Sequence, residues 1–182
     1  MVWFRKQMAV LPVLAILVQT LGGQSIDALQ APPGTKAIVY VFTSTECPVS
    51  NRYAPEIRRI EQAFAPRGVL FRLVYPGRFE TDAAVREHMA AFALATLEAV
   101  RDPSLALVGF TGATITPEVA VIVDRKVIYR GRIDDRFVDL GVERGKPTVH
   151  DLSDALTAVF EGRPVPRPTT QAVGCYIADL AR

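Results

Sequence analysis

Cysteine is scarce in this chain. Cys47 and Cys175 are the two present, far too few for a scaffold held together by disulfides. Histidine is equally scarce, with His88 and His150 far apart in the sequence. An excess of one charge is also missing: 21 basic and 19 acidic residues leave a formal net charge of +2, and no dense Lys/Arg block occurs. A nucleic-acid surface needs a concentrated basic stripe to displace counterions, so no nucleic-acid partner is expected. No apolar run reaches the roughly 20 residues that span a bilayer comfortably, and no internal repeat is found. What is left is an ordinary balance for one folded domain, 182 residues with 49% hydrophobic and 22% charged side chains.

The first thirty residues stand apart. Arg5 and Lys6 precede an apolar run from Met8 to Val18, followed by Gln19, Thr20, Leu21, Gly22 and Gly23. A basic start, a short apolar core and a small-residue exit read as a secretory signal peptide over residues 1–28, cut after Gly22, Gly23 or Ala28. An uncleaved N-terminal anchor is the alternative, and the one route by which a membrane would be involved. A lipid anchor is excluded, because no cysteine lies at the exit. Pro12 and the Gly22-Gly23 pair argue against a buried helix. The protein is therefore expected to be exported, periplasmic or extracellular, where two cysteines can pair.

Lys36 to Phe42 and Val69 to Tyr75 are continuous apolar runs rich in β-branched and aromatic residues, hence buried strands. Between them Tyr53, Ile57, Ile60 and Phe64 follow helical spacing over Ser50 to Ala65, with Pro66 and Gly68 as stop signals. Thr81 or Asp82 caps a second helix through Val85, Met89 and Phe92. A short strand at Leu97 to Val100 and a short helix at Ser104 to Phe110 follow. Val119 to Val123 and Val127 to Tyr129 form a hairpin around Arg125-Lys126, and Asp151 to Phe160 is a last amphipathic helix. Helix-linked strands pair in parallel and the hairpin adds an antiparallel edge, giving an α/β fold with a central mixed sheet flanked by helices. The domain covers 29–162. Ile133 to Val149 reads as an irregular surface segment, and 163–182 as an extended Pro-rich tail carrying Cys175.

Cys47 follows the first strand and opens the first helix, near exposed backbone N–H groups and the positive end of the helix dipole, which favour a thiolate. Glu46 acts in the opposite sense if its carboxylate lies close. Cys47-Pro48-Val49-Ser50 with Ala54-Pro55 following resembles the thioredoxin active-site helix, with its Cys-x-x-Cys and later proline. Gly112-Ala113-Thr114-Ile115-Thr116-Pro117-Glu118 resembles that family's cis-proline loop, which implies a cis Thr116-Pro117 bond facing the cysteine. Together with Arg130 to Asp135, these motifs resemble exported redoxins, the branch shared by TlpA-like and alkyl hydroperoxide reductase/thiol-specific antioxidant proteins. The resemblance implies the thioredoxin-like fold and a thiol oxidoreductase with Cys47 as nucleophile. Thr116, Pro117, Pro48, Ser50 and Asn51 are the implied substrate contacts. A thiol or disulfide protein is the implied partner, and no organic cofactor is needed.

The departures are specific. Ser50 replaces the second cysteine, Val41 stands where a buried acid is often found, and Tyr40 and Ser44 replace the peroxiredoxin proline and threonine. Cys175 has two competing readings, a resolving cysteine in a two-cysteine cycle or half of a permanent staple, with two unpaired thiols as the remaining alternative. A staple closing so long a loop would contribute about 4–5 kcal/mol in the chain-entropy model. A redox-inert binding module is the alternative function. Asn51 stands where a copper-delivering relative has a second thiolate, so no metal is assigned. The two histidines, Asp134-Asp135 with Arg132 and Arg136, and Arg58-Arg59 read as solvated surface.

Overall fold

The computed structural model describes residues 15–180. In chain order its elements are β1 (Leu17–Thr20), β2 (Ser25–Asp27), β3 (Ala37–Phe42), α1 (Pro48–Phe64), β4 (Val69–Pro76) and α2 (Asp82–Ala91). There follow β5 (Glu98–Asp102), α3 (Ala106–Thr111), β6 (Ile115–Thr116), β7 (Glu118–Val123) and β8 (Lys126–Gly131). β9 (Phe137–Asp139), β10 (Val142–Glu143), α4 (Asp151–Phe160) and β11 (Cys175–Tyr176) complete the order.

Seven strands make one sheet in the order β2-β1-β5-β4-β3-β7-β8. β3, β4 and β5 run parallel, as the helices between them require, while β7 and β8 are antiparallel. All six residues of β3 are buried because both faces of the sheet are covered. Val39 and Val41 point to the layer of α1, α2 and α4, beside Ile57, Val85 and Leu156. Ile38, Tyr40 and Phe42 point to the other layer, beside Leu107 and Val108 of α3. This is the α/β architecture the sequence pattern implies.

Three local expectations change. The β7–β8 hairpin turns on Asp124-Arg125, one residue earlier than Arg125-Lys126, with both residues at positive φ (49° and 62°), as a two-residue turn of this hand demands. The segment 133–149 is not a loose surface stretch. Ile133, Asp134, Asp135 and Phe137 are buried, and β9 and β10 form a small hairpin. The tail is extended but not free beyond its prolines, since Thr169 bridges Arg130 and β11 pairs with β6.

In the N-terminal segment, most of the apolar run read as a signal peptide lies outside the described residues. Leu17 and Val18 belong to β1, which pairs with β2 and with β5. Tyr40 donates its hydroxyl hydrogen to the Ala28 carbonyl, and Ala28 N–H donates to Ile16 O at 2.7 Å. A cut after Gly22, Gly23 or Ala28 would therefore remove β1 from the sheet.

Candidate functional site

Cys47 occupies the residue before the first turn of α1, with extended backbone (φ −83°, ψ 110°) and Pro48 next. Proline suits that first helical position because its missing N–H would have no partner there. Asn51 N–H donates to Cys47 O at 3.1 Å and closes the turn. The preceding loop is pinned from outside: Thr45 N–H and Oγ1 donate to the two oxygens of Glu80 at 3.1 and 2.9 Å. On the opposite side, Thr116-Pro117 is cis as expected. Its loop is held by the buried Glu118, which accepts from Thr114 N–H at 2.8 Å and pairs with Arg130 at 2.9 Å.

Cys47 is 1% exposed, and its thiol donates to Thr116 O at 3.0 Å. Cys175 is brought to the same point by β11, which pairs antiparallel with β6 and sets Cys175 opposite Thr116. Both cysteines carry free thiols and line the same cleft, and each influences the other's ionisation. Burial pushes the Cys47 thiol up, but hydrogen bonds from the Ser50 hydroxyl, Cys175, the Ser50 N–H and Thr116 outweigh it. The net pKa lies below the ordinary thiol value. Ser50 Oγ is buried without a hydrogen-bond partner of its own, which leaves the hydroxyl free to turn toward the sulfur. Cys175 moves oppositely, pushed up to about 11 by burial and by the neighbouring Cys47. The pair thus divides its roles: Cys47 ionises first and Cys175 keeps its proton. Glu46 is exposed, and the strongest influences on the thiol come from elsewhere.

A cleft of about 380 Å³ leads to the sulfur, lined by Ser44, Thr45 and Glu46 on one side and by Thr116, Cys175 and Tyr176 on the other. Cys47, Cys175, Thr116 and Ser50 therefore converge. Pro117 is buried behind Thr116, and Pro48 is exposed on the helix. Neither lines the cleft, and nor do Ser50 and Asn51.

The Asn51 side chain turns away to His88, whose Nε2 lies 2.7 Å from Asn51 Oδ1 and whose Nδ1 lies 2.9 Å from Tyr75 Oη. His88 is buried, contrary to the surface reading, and burial lowers its pKa, so the ring is neutral at pH 7. The spacing of Val85, His88, Met89 and Phe92 on one helix face was the available signal.

Asp134 and Asp135 are likewise buried rather than solvated. Tyr53 Oη donates to Asp134 Oδ1 at 2.6 Å, and Asp135 accepts from Thr148 N–H and Oγ1 at 2.6 Å each. Burial raises the Asp134 pKa. The hydrogen bonds from Thr148 and Val149 hold Asp135 well below the usual carboxylate range, against the opposing effect of burial. Sequence reasoning did not find Glu80, Phe79 or Tyr176 as walls of the site, because none carries a motif.

No protein-family model matches the chain and no curated protein matches it. Solved structures do. An uncharacterized conserved protein from Geobacillus kaustophilus is 22% identical with a TM-score of 0.76, covering 90% of this chain and 88% of that one. A secreted Mycobacterium tuberculosis disulfide oxidoreductase homologous to E. coli DsbE is 18% identical with a TM-score of 0.51, over 80% of this chain and 94% of that one. A thioredoxin-like protein from Aeropyrum pernix is 14% identical with a TM-score of 0.55, over 64% and 80%. The fold is thioredoxin-like.

Proposed function

We propose that the protein is an exported thiol oxidoreductase in which Cys47 is the nucleophile and Cys175 the resolving thiol. The observation that carries this reading is the convergence of two free thiols on Thr116 and on one cleft, with opposite tendencies, one drawn toward the thiolate and one held protonated. A thiolate attacks a sulfur or peroxide oxygen, and a neighbouring thiol then displaces the product as a Cys47–Cys175 disulfide forms. The chemistry asks for no organic cofactor, and a second thiol protein supplies the electrons that reopen the disulfide. Export is supported by the basic and apolar N-terminal stretch and by the description of the mycobacterial neighbour as secreted.

Intact mass after alkylation tests the proposal. Unfolded and alkylated after each step, the protein should take up two labels when reduced, none after stoichiometric peroxide, and two again after mild reductant. Cys175→Ser should stop at an oxidised or mixed-disulfide Cys47, and Cys47→Ser should leave Cys175 unreactive at neutral pH. A Cys47–Cys175 bond that mild reductant does not open would sink the enzyme reading and leave a redox-inert binding module with a structural staple.

A further inference from the structure

One wall of the Cys47 cleft is the chain's own C-terminus. Arg130 N–H donates to Pro168 O at 2.9 Å, Thr170 N–H to Arg130 O at 3.0 Å and Ile177 N–H to Thr114 O at 3.1 Å. Between these anchors lies β11, paired residue for residue with β6, and Thr116 Oγ1 donates to Cys175 O at 3.3 Å. The approach is so close that a Cβ on Gly174 would stand 2.0 Å from Thr116 O. Ala172 and Ile177, on either side of the strand, are both 4% exposed.

An open strand edge beside a reactive sulfur is where an extended polypeptide adds as one more strand. At β6 that edge is already filled by β11. Cys47 is only 1% exposed, and the cleft that reaches it has a volume of about 380 Å³, at the lower end of small-molecule sites. We propose that the C-terminal strand stands in for a polypeptide substrate at β6 and thereby restricts the oxidants of Cys47 to small molecules that fit the cleft.

This rests on the reading of Cys47 and Cys175 as a redox couple. With a low-molecular-weight disulfide RSSR, the Cys47 thiolate forms a bond to one sulfur and the R–S–S–R bond breaks, releasing RS⁻. The Cys175 sulfur then attacks the Cys47 sulfur, giving up its proton to the second RS⁻ that leaves as RSH. Two protein thiol sulfurs are oxidised and one disulfide is reduced. With a small hydroperoxide ROOH, the O–O bond breaks instead. Cys47 takes the terminal oxygen as a sulfenic acid, ROH leaves after protonation by solvent, and attack by Cys175 releases water. The two carboxylates of the cleft, Glu46 and Glu80, make uncharged probes the suitable ones.

The test follows the loss of free Cys47 in the full chain by quenched alkylation and mass. Hydroxyethyl disulfide and hydrogen peroxide are the small probes, and an unstructured peptide with an internal disulfide is the large one. Each rate is divided by that of free cysteine with the same probe. Wild type should discriminate against the peptide by about tenfold or more. Gly174→Ala and Ala172→Glu each push the strand off β6, and should raise the relative peptide rate about tenfold with little change for the small probes. Hydrogen exchange at the Ile177 amide reports release of the strand, and retained protection in β3 shows that the domain stays folded. Equal relative rates in wild type, or a ratio unmoved in a variant whose strand is released, would overturn the proposal while leaving Cys47 a reactive thiol. A Cys47 that no probe consumes would instead overturn the redox reading beneath it.

Discussion

The two cysteines reach one point by opposite means. Cys47 is placed by regular structure: it follows β3, every residue of which is buried, and it opens α1, which buries Tyr53, Ile57 and Ile60 in the core. Cys175 is placed by a strap, a run of backbone and hydroxyl hydrogen bonds laid over β8 and β6 after an exposed Pro-rich lead-in. The first placement is part of the global fold and is lost only with it. The second rests on backbone and hydroxyl bonds and on the two buried side chains Ala172 and Ile177, and is expected to open as a local unit. The nucleophile's position is fixed, and its partner's position is conditional.

The sharpest way to break that contrast is to weaken each side and ask what else moves. Leu73→Ala, in the β4 core beside β3, should cost about 2–5 kcal/mol of global stability, seen as a lowered denaturant midpoint with unchanged slope. All amides, those of the strap included, should then lose protection in parallel. Gly131→Ala acts on the strap instead. A Cβ there would stand 2.4 Å from Thr170 O and 2.8 Å from Thr170 N, on a backbone of φ 149°. Overpacking of this kind costs about 1–3 kcal/mol. Here it should appear mainly as faster exchange at the Thr170 and Ile177 amides and slower Cys47–Cys175 closure. If β3 and β4 amides lose protection equally, the strap is not a separable unit.

Tyr53→Phe probes the α1 side more gently. It removes one hydrogen bond to the buried Asp134 and leaves the one from Arg136 N–H at 2.9 Å, for an expected cost of about 1–3 kcal/mol at neutral pH. Burial raises the Asp134 pKa, so its contribution to stability is fullest below the unfolded carboxylate pKa and falls as pH rises through the folded one. The tyrosine bond opposes that loss because it favours the ionised form. The deficit of Tyr53→Phe should therefore grow from acid to neutral pH. A deficit that is constant with pH would show that Asp134 does not ionise against Tyr53.

The same contrast explains what could be read from the sequence. β3, α1, β4 and α4 fall within two or three residues of their expected bounds because each carries its own periodicity and its own stop, such as Pro66 and Gly68 after α1. The Cys47 position and the cis loop were legible for the same reason. β11 was not: a two-residue strand has no pattern, and its pairing with β6 depends on residues 59 positions away. β1 and β2 were hidden by an apolar stretch whose composition suits a leader as well as a strand. Asp134 and Asp135 carried the chemistry of surface acids, and what buries them lies elsewhere in the chain, Tyr53 for one and Thr148 for the other.

The smallest expected effect is the most direct measure of how the strap serves the nucleophile. Alkylation follows the thiolate fraction, so the pH midpoint for Cys47 should lie below that of an ordinary thiol, while Cys175 should react only near pH 11. Among the groups that lower Cys47, the Ser50 hydroxyl is stronger than Cys175. Ser50→Ala should therefore raise the midpoint most. Thr170→Val removes the oxygen that accepts from Arg132 N–H at 3.1 Å and meets Tyr129 Oη at 2.8 Å. It should raise the midpoint by less, because the Cys175 thiol is then held against Cys47 for a smaller fraction of the time. A midpoint that Thr170→Val leaves unmoved while Cys175→Ala raises it would mean that the strap stays seated without this threonine. A midpoint unmoved by both would mean that α1 and Ser50 alone make the thiolate, and that Cys175 enters the chemistry only after Cys47 has been oxidised.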